Sequence, residues 1–237
     1  MSCALVLAAA GGGSRLGGVA KQVRPLAGRP VLNWSLSRFH GLVDEVVVVS
    51  SQPLAPLIEE LLRLDPPPVP WQVVLGGATR LHSVWAGIQA LGPKIERILV
   101  HDAARPLVQP KHISACIQAL TGAPGAVLAQ AVYATVKRCN ETLQIRDTID
   151  RRHLYLAQTP QAFRAAEGRQ AFAQAITAID QQPELAGRFT DDVAVLEWAG
   201  LDCVVVPGVA TNIKITTTDD WDLAEAILGW EHQLDHQ

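Results

Sequence analysis

The residues best suited to chemistry are two cations at a glycine-rich run near the start of the chain. Residues 8–18 read AAAGGGSRLGG, with Arg15 inside the run and Lys21 just beyond it. Glycines let a backbone approach a ligand closely and turn successive N–H groups toward an anion. The run lacks the lysine of a Walker A loop, and Leu16 stands where a dinucleotide-binding GxGxxG needs glycine or alanine. The cations favour a site for another phosphorylated ligand, with a purely structural loop as the alternative.

The elements that must position these cations alternate between strands and helices. Predicted strands cover residues 5–9, 45–49, 72–75, 98–100, 126–131 and 203–206, and predicted helices cover residues 31–39, 54–64, 81–91, 111–120, 164–176 and 218–230. Nearly continuous valine in two of the strands is typical of burial on both faces of a parallel sheet. This order predicts a doubly wound, mostly parallel α/β sheet with ligands at the carboxyl ends of its strands. We expect Thr218 to cap the last helix.

Residues 133–151 do not fit this alternation. Residues 133–138 and 143–149 predict two strands joined by a turn near Asn140, with polar side chains on much of both faces. An isolated two-stranded ribbon is marginal in water, so its apolar residues need a partner surface. We therefore expect one domain over residues 1–237, from which residues 133–151 project as a β-hairpin arm that mediates dimerisation.

Composition argues against several kinds of partner. A net charge of −3 without a basic stripe argues against nucleic acid. No apolar run approaches the roughly 20 residues that span a bilayer, and the first residues lack the pattern of a signal peptide. The cysteines (Cys3, Cys116, Cys139 and Cys203) are scattered and form no CxxC, which favours reduced thiols over disulfides or a zinc site. We expect a cytoplasmic protein.

Five motifs resemble one enzyme family, in that family's order. They are AAGGGSRLGGVAKQ (residues 9–22), GGATRLHSV (76–84), HDAARP (101–106), TDD (190–192) and NIKIT (212–216). The first is similar to the loop that wraps the nucleoside triphosphate in nucleotidyltransferases that make activated sugars. Together the five resemble the methylerythritol phosphate cytidylyltransferase family. The resemblance implies transfer of a cytidylyl group from CTP to 2-C-methyl-D-erythritol 4-phosphate, with release of pyrophosphate, in isoprenoid precursor biosynthesis.

The resemblance also implies roles for particular residues. Arg15 and Lys21 would bind the α-phosphate and stabilise charge in the transition state. The cytosine-recognising set would be Ala9, Ala10, Gly11, Gly77 and Ser83. The residues near the acceptor phosphate would be Asp102, Arg105, Thr135, Arg151 and Lys214, with Thr159 and Thr190 as further hydroxyl contacts. Asp102 would also lie in the metal region, and the metal ligands stay unassigned.

The chemistry of this reaction calls for cations more than for a base. The attacking phosphate monoester is largely deprotonated at neutral pH, because its second pKa is about 6. No Ser-His-Asp or Cys-His set is evident in the sequence. Cations, backbone donors and Mg²⁺ should therefore stabilise the charge that develops between two anions. We expect Mg²⁺ as the cofactor and a structural role for His101.

Two other functions stay open at this point. A ribitol 5-phosphate cytidylyltransferase would share the loop and most motifs. A catalytically silent nucleotide-binding module would be expected to lose the cations, whereas Arg15, Lys21, Arg151 and Lys214 are present. In the family that the chain resembles, an arm reaches across a two-fold axis to the neighbouring subunit. The resemblance therefore implies a homodimer with exchanged arms.

Overall fold

The computed structural model describes residues 1–11 and 20–234. Its strands are β1 (Cys3–Ala8), β2 (Pro25–Leu26), β3 (Arg29–Pro30), β4 (Glu45–Ser50), β5 (Trp71–Leu75), β6 (Arg97–Asp102), β7 (Gly125–Ala131), β8 (Val136–Cys139), β9 (Ile145–Ile149), β10 (Tyr155–Arg164) and β11 (Cys203–Pro207). Its helices are α1 (Val31–Ser37), α2 (Ala55–Leu64), α3 (Arg80–Ala90), α4 (Pro110–Ala119), α5 (Ala165–Gln181), α6 (Asp192–Trp198) and α7 (Thr218–Leu234), with a 3-10 helix at Pro183–Arg188.

Within this part of the chain, seven strands form one sheet in the order β11-β7-β10-β6-β1-β4-β5. The pairs β1–β4, β1–β6, β4–β5 and β7–β11 are parallel, and β10 runs antiparallel between β6 and β7. The predicted mostly parallel sheet is confirmed. No helix in the described ranges is long and apolar enough to cross a membrane.

Helices cover both faces of the sheet, as a doubly wound fold requires. Strand β1 is buried on both sides because successive side chains of a strand point in opposite directions. Leu5 and Leu7 belong to the apolar cluster that contains side chains of α1, α2 and α4. Ala4 and Val6 belong to the cluster that contains side chains of α3, α5 and α6. Helix α7 packs separately, against β2 and α1, through Trp221 and Leu228.

The order of the strands reverses at β1, and this reversal positions the candidate site. Strands β4 and β5 lie on one side of β1 and β6 lies on the other. Ala8, at the end of β1, is in register with Val49 of β4 and Asp102 of β6. The carboxyl ends of these parallel strands therefore meet where doubly wound sheets bind ligands.

Strand β10 is the main element that sequence patterns missed. Its segment TPQ, at residues 159–161, contains Pro160, and a proline without an N–H argues against a central strand. The structure accommodates it with a cis Thr159–Pro160 peptide and a shift in the register with β7 between Ala157 and Gln161. The irregularity leaves the proline outside the regular ladder with β7. The antiparallel strand can therefore occupy the middle of the sheet.

The predicted hairpin forms as a separate two-stranded sheet, β8–β9, with Val136 opposite Ile149. Its side chains are nearly all exposed, including 84% of Leu143 and 64% of Ile145. Tyr133, just before β8, is 74% exposed. The ribbon thus carries large apolar side chains that its own chain leaves in contact with solvent.

The cap of α7 differs by one residue from the prediction. Thr217, not Thr218, precedes the helix, and its Oγ1 accepts a hydrogen bond from the N–H of Asp220 at 3.3 Å. Oδ2 of Asp220 accepts in return from the N–H of Thr217 at 2.8 Å. This reciprocal pair is a capping box. Three consecutive threonines make the choice ambiguous from sequence, because each is a suitable cap.

Candidate active site

A cleft of about 670 Å³ opens at the carboxyl ends of β1, β5 and β6. Its walls come from the segment after β1, the loop between β5 and α3, the end of β6 and the segment before α7. The lining residues are Ala8, Ala10, Gly11, Lys21, Gln22, Gly77, Ala78, Thr79, Arg80, Ser83, Asp102, Ala104, Lys214 and Thr216. Ala8, Ala10 and Gly11, at the start of the glycine-rich run, are among these residues. Residues 12–19, and Arg15 with them, lie outside the described residues.

Gln22 fixes the backbone where β1 leads into the cleft. Its Nε2 donates to the carbonyl oxygens of Ala9 and Gly11, each at 2.6 Å, and the side chain is buried. Lys21, the neighbouring residue, donates from Nζ to the carbonyl of Ile215 at 2.6 Å. The first segment of the site is thereby joined to the segment that carries Lys214.

The loop between β5 and α3 forms a second wall and is closely packed. A Cβ added to Gly77 would lie 2.5 Å from Cβ of His82, so this position accepts no side chain without a shift. Thr79 caps α3 by accepting from the N–H of His82. Ser83 lies on the first turn of α3, with Oγ 2.9 Å from the carbonyl oxygen of Thr79 and 3.3 Å from that of Gly77. The hydroxyl proton points to one of these carbonyls, and lone pairs of Oγ remain.

Asp102 is the carboxylate at the centre of the cleft. Among the described residues, its carboxylate oxygens lie 2.8 Å from Nζ of Lys214, 3.5 Å from Nη2 of Arg80 and 3.8 Å from Nε of Arg105. Burial alone would raise the pKa of Asp102, but the cations, Arg80 and Lys214 above all, outweigh it and lower the pKa below its ordinary value. Asp102 is therefore ionised in the resting site.

A buried chain of hydrogen bonds fixes the backbone of Asp102. Nε2 of His101 lies 3.0 Å from the carbonyl of Arg105, which can only accept, so Nε2 carries the proton. Burial lowers the pKa of His101 to about 4 and keeps the ring neutral. Nδ1 then accepts from Oγ1 of Thr159 at 2.9 Å, and Oγ1 accepts from the N–H of Asp102 at 3.1 Å. Both ring nitrogens of His101 are therefore engaged in contacts within the fold.

Arg80 joins the cleft to a buried carboxylate behind it. Its two terminal nitrogens donate to the two oxygens of Asp192, at 2.8 and 2.7 Å. The Asp192 side chain is 1% exposed, whereas that of Arg80 is 34% exposed. The Asp192 carboxylate raises the pKa of Arg80 above its ordinary value. The guanidinium is thus a permanent cation with a fixed orientation.

The structure brings together part of the predicted site. Ala10, Gly11, Lys21, Gly77, Ser83, Asp102 and Lys214 line the cleft. Ala9, Arg105 and Thr159 lie directly behind it, where their contacts position the lining residues. Thr135 and Arg151 are exposed on the hairpin and Thr190 is exposed before α6, and none of the three lines the cleft.

Sequence reasoning missed three residues that organise the cleft, namely Gln22, Arg80 and Asp192. Each lies inside one of the five motifs, and this position in a motif is the sequence feature that could have identified them. Their roles depend on contacts between distant segments, of which the Arg80–Asp192 pair is one.

The described residues contain no group of three or more His, Cys, Asp or Glu side chains that could bind a metal ion. Asp102 is the carboxylate that lines the cleft. Mg²⁺ commonly binds through one or two carboxylates, waters and substrate phosphates. One carboxylate in a cleft that is also lined by cations is compatible with that form of coordination.

Comparisons with known proteins place the chain in a family. The family model described as IspD, 2-C-methyl-D-erythritol 4-phosphate cytidylyltransferase, matches residues 3–230. The protein of that name from Synechocystis sp. is 38% identical over 228 residues, which cover 95% of this chain and 96% of the relative. The bifunctional enzyme IspD/IspF of Rhodobacter capsulatus is 40% identical over 230 residues, and the match covers 96% of this chain and 56% of that enzyme.

Solved structures give the same result. The 4-diphosphocytidyl-2C-methyl-D-erythritol synthase of Anaerococcus prevotii superposes with a TM-score of 0.80 at 28% identity, covering 96% of this chain and 98% of that one. For the 2-C-methyl-D-erythritol 4-phosphate cytidylyltransferase (IspD) of Francisella tularensis the TM-score is 0.78, also at 28% identity, over 94% of this chain and 98% of that one. The chain belongs to the 2-C-methyl-D-erythritol 4-phosphate cytidylyltransferase family.

Proposed function

We propose that the cleft at the carboxyl ends of β1, β5 and β6 is where this cytidylyltransferase joins CTP to 2-C-methyl-D-erythritol 4-phosphate. An oxygen of the acceptor phosphate attacks the α-phosphorus of CTP, a new P–O bond forms, the bond to the β-phosphate breaks, and pyrophosphate leaves. The observation that carries the proposal is the convergence of Lys21, Arg80 and Lys214 on one cleft around Asp102. Cations are what an attack between two anions requires.

Charge stabilisation in this proposal falls to Arg15, Lys21 and Lys214. Arg15 and Lys21 contact the α-phosphate, and the charge that they meet grows in the transition state. Lys214 moves from Asp102 to the acceptor phosphate or bridges both, because its Nζ already lines the cleft. No residue needs to remove a proton, since the acceptor phosphate is largely dianionic at neutral pH. The neutral, fully hydrogen-bonded His101 is consistent with this.

Cytosine recognition is assigned to the wall formed by residues 9–11, Gly77 and Ser83. The proton of Ser83 Oγ is directed to a backbone carbonyl, so Oγ and the other carbonyl present acceptors. Cytosine offers an amino donor at the position where uracil offers an oxygen acceptor. Acceptors on this wall therefore favour cytosine over uracil.

Mg²⁺ is proposed as the cofactor, with Asp102 as its protein ligand and phosphate oxygens supplying further ligands. When bound, the ion would neutralise charge on the triphosphate and the departing pyrophosphate. Asp102 would bind the ion as a carboxylate, and the neighbouring Arg80, Arg105 and Lys214 keep it ionised. A chelator should abolish turnover. As a separate measure of metal binding, electron paramagnetic resonance should detect less bound Mn²⁺ in the Asp102→Asn variant than in wild type.

We also propose that the active enzyme is a cytoplasmic homodimer of one-domain subunits with exchanged arms. Thr135 and Arg151 lie on the exposed hairpin, away from the cleft of their own chain. Reaching across a two-fold axis would bring them to the acceptor phosphate of the partner. Exposed Leu143 and Ile145 support burial of the ribbon against a second copy. The unpaired cysteines support a reducing compartment.

The acceptor is tested by measuring pyrophosphate release from CTP and Mg²⁺ with two acceptors in parallel. We expect turnover with 2-C-methyl-D-erythritol 4-phosphate and little with ribitol 5-phosphate, the alternative acceptor. The relatives described above carry the methylerythritol name, which favours the first acceptor. Turnover confined to ribitol 5-phosphate, or none with either acceptor, would contradict the proposal.

A further inference from the structure

Arg80 forms an ion pair with the buried side chain of Asp192, a residue to which the reaction scheme above assigns no role. Asp192 is the first residue of α6 and Arg80 is the first residue of α3. The pair is a fork, with two N–H groups donating to two carboxylate oxygens at 2.8 and 2.7 Å. A fork of this kind fixes the plane and the direction of a guanidinium, which a single contact does not.

The base of this fork is itself immobilised. Gln161 of β10 accepts from the N–H of Val193 through Oε1 at 2.8 Å, and its Nε2 donates to Oδ2 of Asp191 at 3.0 Å. Asp191 also caps α6 by accepting from the N–H of Ala194 at 2.9 Å. The start of α6 is thereby attached to the strand beside β6. Asp192 is consequently a fixed point in the fold and not a mobile side chain.

The Arg80 guanidinium also contacts the carboxylate in the cleft. Nη2, the same nitrogen that lies 2.7 Å from Asp192, is 3.5 Å from Oδ1 of Asp102. Lys214 lies on the other oxygen of Asp102, at 2.8 Å. Charges therefore alternate in the order Asp192, Arg80, Asp102, Lys214, from a buried helix start to a side chain that lines the cleft. Arg80 is the link through which a residue outside the cleft can orient the carboxylate inside it.

We propose that Asp192 is a positioning residue for cytidylyl transfer, which acts through Arg80 to orient Asp102 and, with it, Lys214. The inference rests on the proposed function, since it assumes that Asp102 and Lys214 serve the reaction. Without the fork, Asp102 keeps two cations but loses the one that is anchored behind the site. Ser83 is held by contacts to Gly77 and Thr79 that do not involve Arg80 or Asp192. We therefore expect the effect on kcat, with the KM for CTP little changed.

The experiment removes the charges of Arg80 and Asp192 together. It thereby separates a role in positioning Asp102 from a role in stabilising the fold. Asp192→Asn alone leaves Arg80 partly buried without its carboxylate, so its Tm should fall by roughly 10 °C or more. Arg80→Met with Asp192→Leu replaces the pair by apolar groups of similar size, and such replacements commonly retain stability. We expect the double variant to unfold near the wild-type Tm, with kcat about 10–100-fold lower and the KM for CTP little changed.

A more conservative variant covers the case in which the double variant folds poorly. Arg80→Lys keeps the charge next to Asp192 but cannot make the fork and reach Asp102 with the same group. Its kcat, normalised to the folded fraction from near-ultraviolet circular dichroism, should fall by about tenfold or more. The matched control is the Arg29–Asp65 pair, which lies outside the cleft with its nitrogen 2.7 Å from the carboxylate. Arg29→Met with Asp65→Leu should leave kcat unchanged.

Wild-type kcat in a folded double variant, or in Arg80→Lys, would overturn the positioning role and leave the pair as a structural contact. Failure of the proposed function would give a different result, namely a wild-type enzyme without activity toward CTP and the acceptor. A kcat lowered equally by the Arg29–Asp65 control would also overturn the inference, because it would show a general response to loss of an ion pair.

Discussion

Lys21 and Lys214 come from distant parts of the chain, yet their positions depend on each other. Nζ of Lys21 donates to the carbonyl of Ile215, the residue that follows Lys214. A change at Lys21 therefore removes one cation and also releases the backbone beside a second. We therefore expect Lys21 to be more sensitive to substitution than an isolated surface lysine.

Substitution of the loop cations should lower turnover without loss of the fold. We expect Lys21→Ala and Arg15→Ala each to reduce kcat by about 10²–10³-fold, because each removes charge stabilisation from the transition state. Steady-state pyrophosphate release measures the effect, and far-ultraviolet circular dichroism checks the fold. Arg63→Ala, on the exposed side of α2, is the control and should behave as wild type. Near-wild-type turnover by either loop variant would show that the cation is not part of the catalytic site.

The acceptor-lined wall at Ser83 should set the choice of base. We expect kcat/KM for CTP to exceed that for UTP, ATP or GTP by about 100-fold or more. Ser83→Ala should narrow the ratio of CTP to UTP, because it removes an acceptor for the cytosine amino group. Ser37→Ala, whose hydroxyl contacts the carbonyl of Trp34 on α1, should not change the ratio. Equal use of a purine triphosphate would contradict the assignment of this wall.

The sequence could identify the residues of the cleft more readily than their partners. Lys21, Asp102 and Lys214 were predicted because each lies in a motif that resembles one of the family. The Arg80–Asp192 contact was not, because periodicity and spacing carry no information on which distant side chains meet. The same limit applies to Gln22, whose two acceptors are backbone carbonyls.

At the level of elements, β10 contributes a side chain that supports the cleft without lining it. Thr159 lies in the irregular part of this strand and connects the N–H of Asp102 to the ring of His101. The valine-rich strands were predictable from composition. Strand β10, with its central proline, was not predictable. Its TPQ segment is polar and forms hydrogen bonds near the site, so it lacks the apolar pattern of a buried strand.

Loss of the Thr159 hydroxyl should therefore destabilise the protein and impair the site together. Thr159→Val has nearly the same shape but leaves Nδ1 of His101 and the N–H of Asp102 without their partner. We expect the free energy of unfolding to fall by about 1–3 kcal/mol, as measured by urea denaturation. Thr177→Val, at an exposed position of α5, is the control and should change stability far less. A Thr159→Val protein as stable as wild type would mean that this hydrogen-bond chain contributes little.

For the whole molecule, the separation between the cleft and the hairpin residues is the central observation. The cleft contains Lys21 and Lys214, and Arg151 lies on the exposed hairpin, where its guanidinium donates to the carbonyl of Tyr133. The hairpin was predictable because its polar pattern is incompatible with the core. Which copy of the cleft it serves is a question that a mixed assembly can answer.

Mixing two inactive variants should restore activity if sites are shared between chains. We expect Lys21→Ala and Arg151→Ala proteins, each nearly inactive alone, to regain activity after subunit exchange. Each mixed dimer would contain one doubly altered site and one intact site, and so about half of the wild-type activity. Exchange is followed with differently tagged chains. Complete exchange with activity no higher than that of the parents would show that the hairpin does not serve its neighbour.

The place of β10 in the sheet has a consequence for how the enzyme is made on the ribosome. Strands β1, β4, β5 and β6 all come from residues 1–102, and they are neighbours in the sheet. A nascent chain can therefore assemble these four strands early, with Asp102 on the open edge of β6. Residues 155–164 close that edge only after roughly several further seconds of synthesis, at about 5–20 residues per second. During that interval Asp102 lies on an unpaired strand, the kind of surface on which chains associate wrongly and chaperones act.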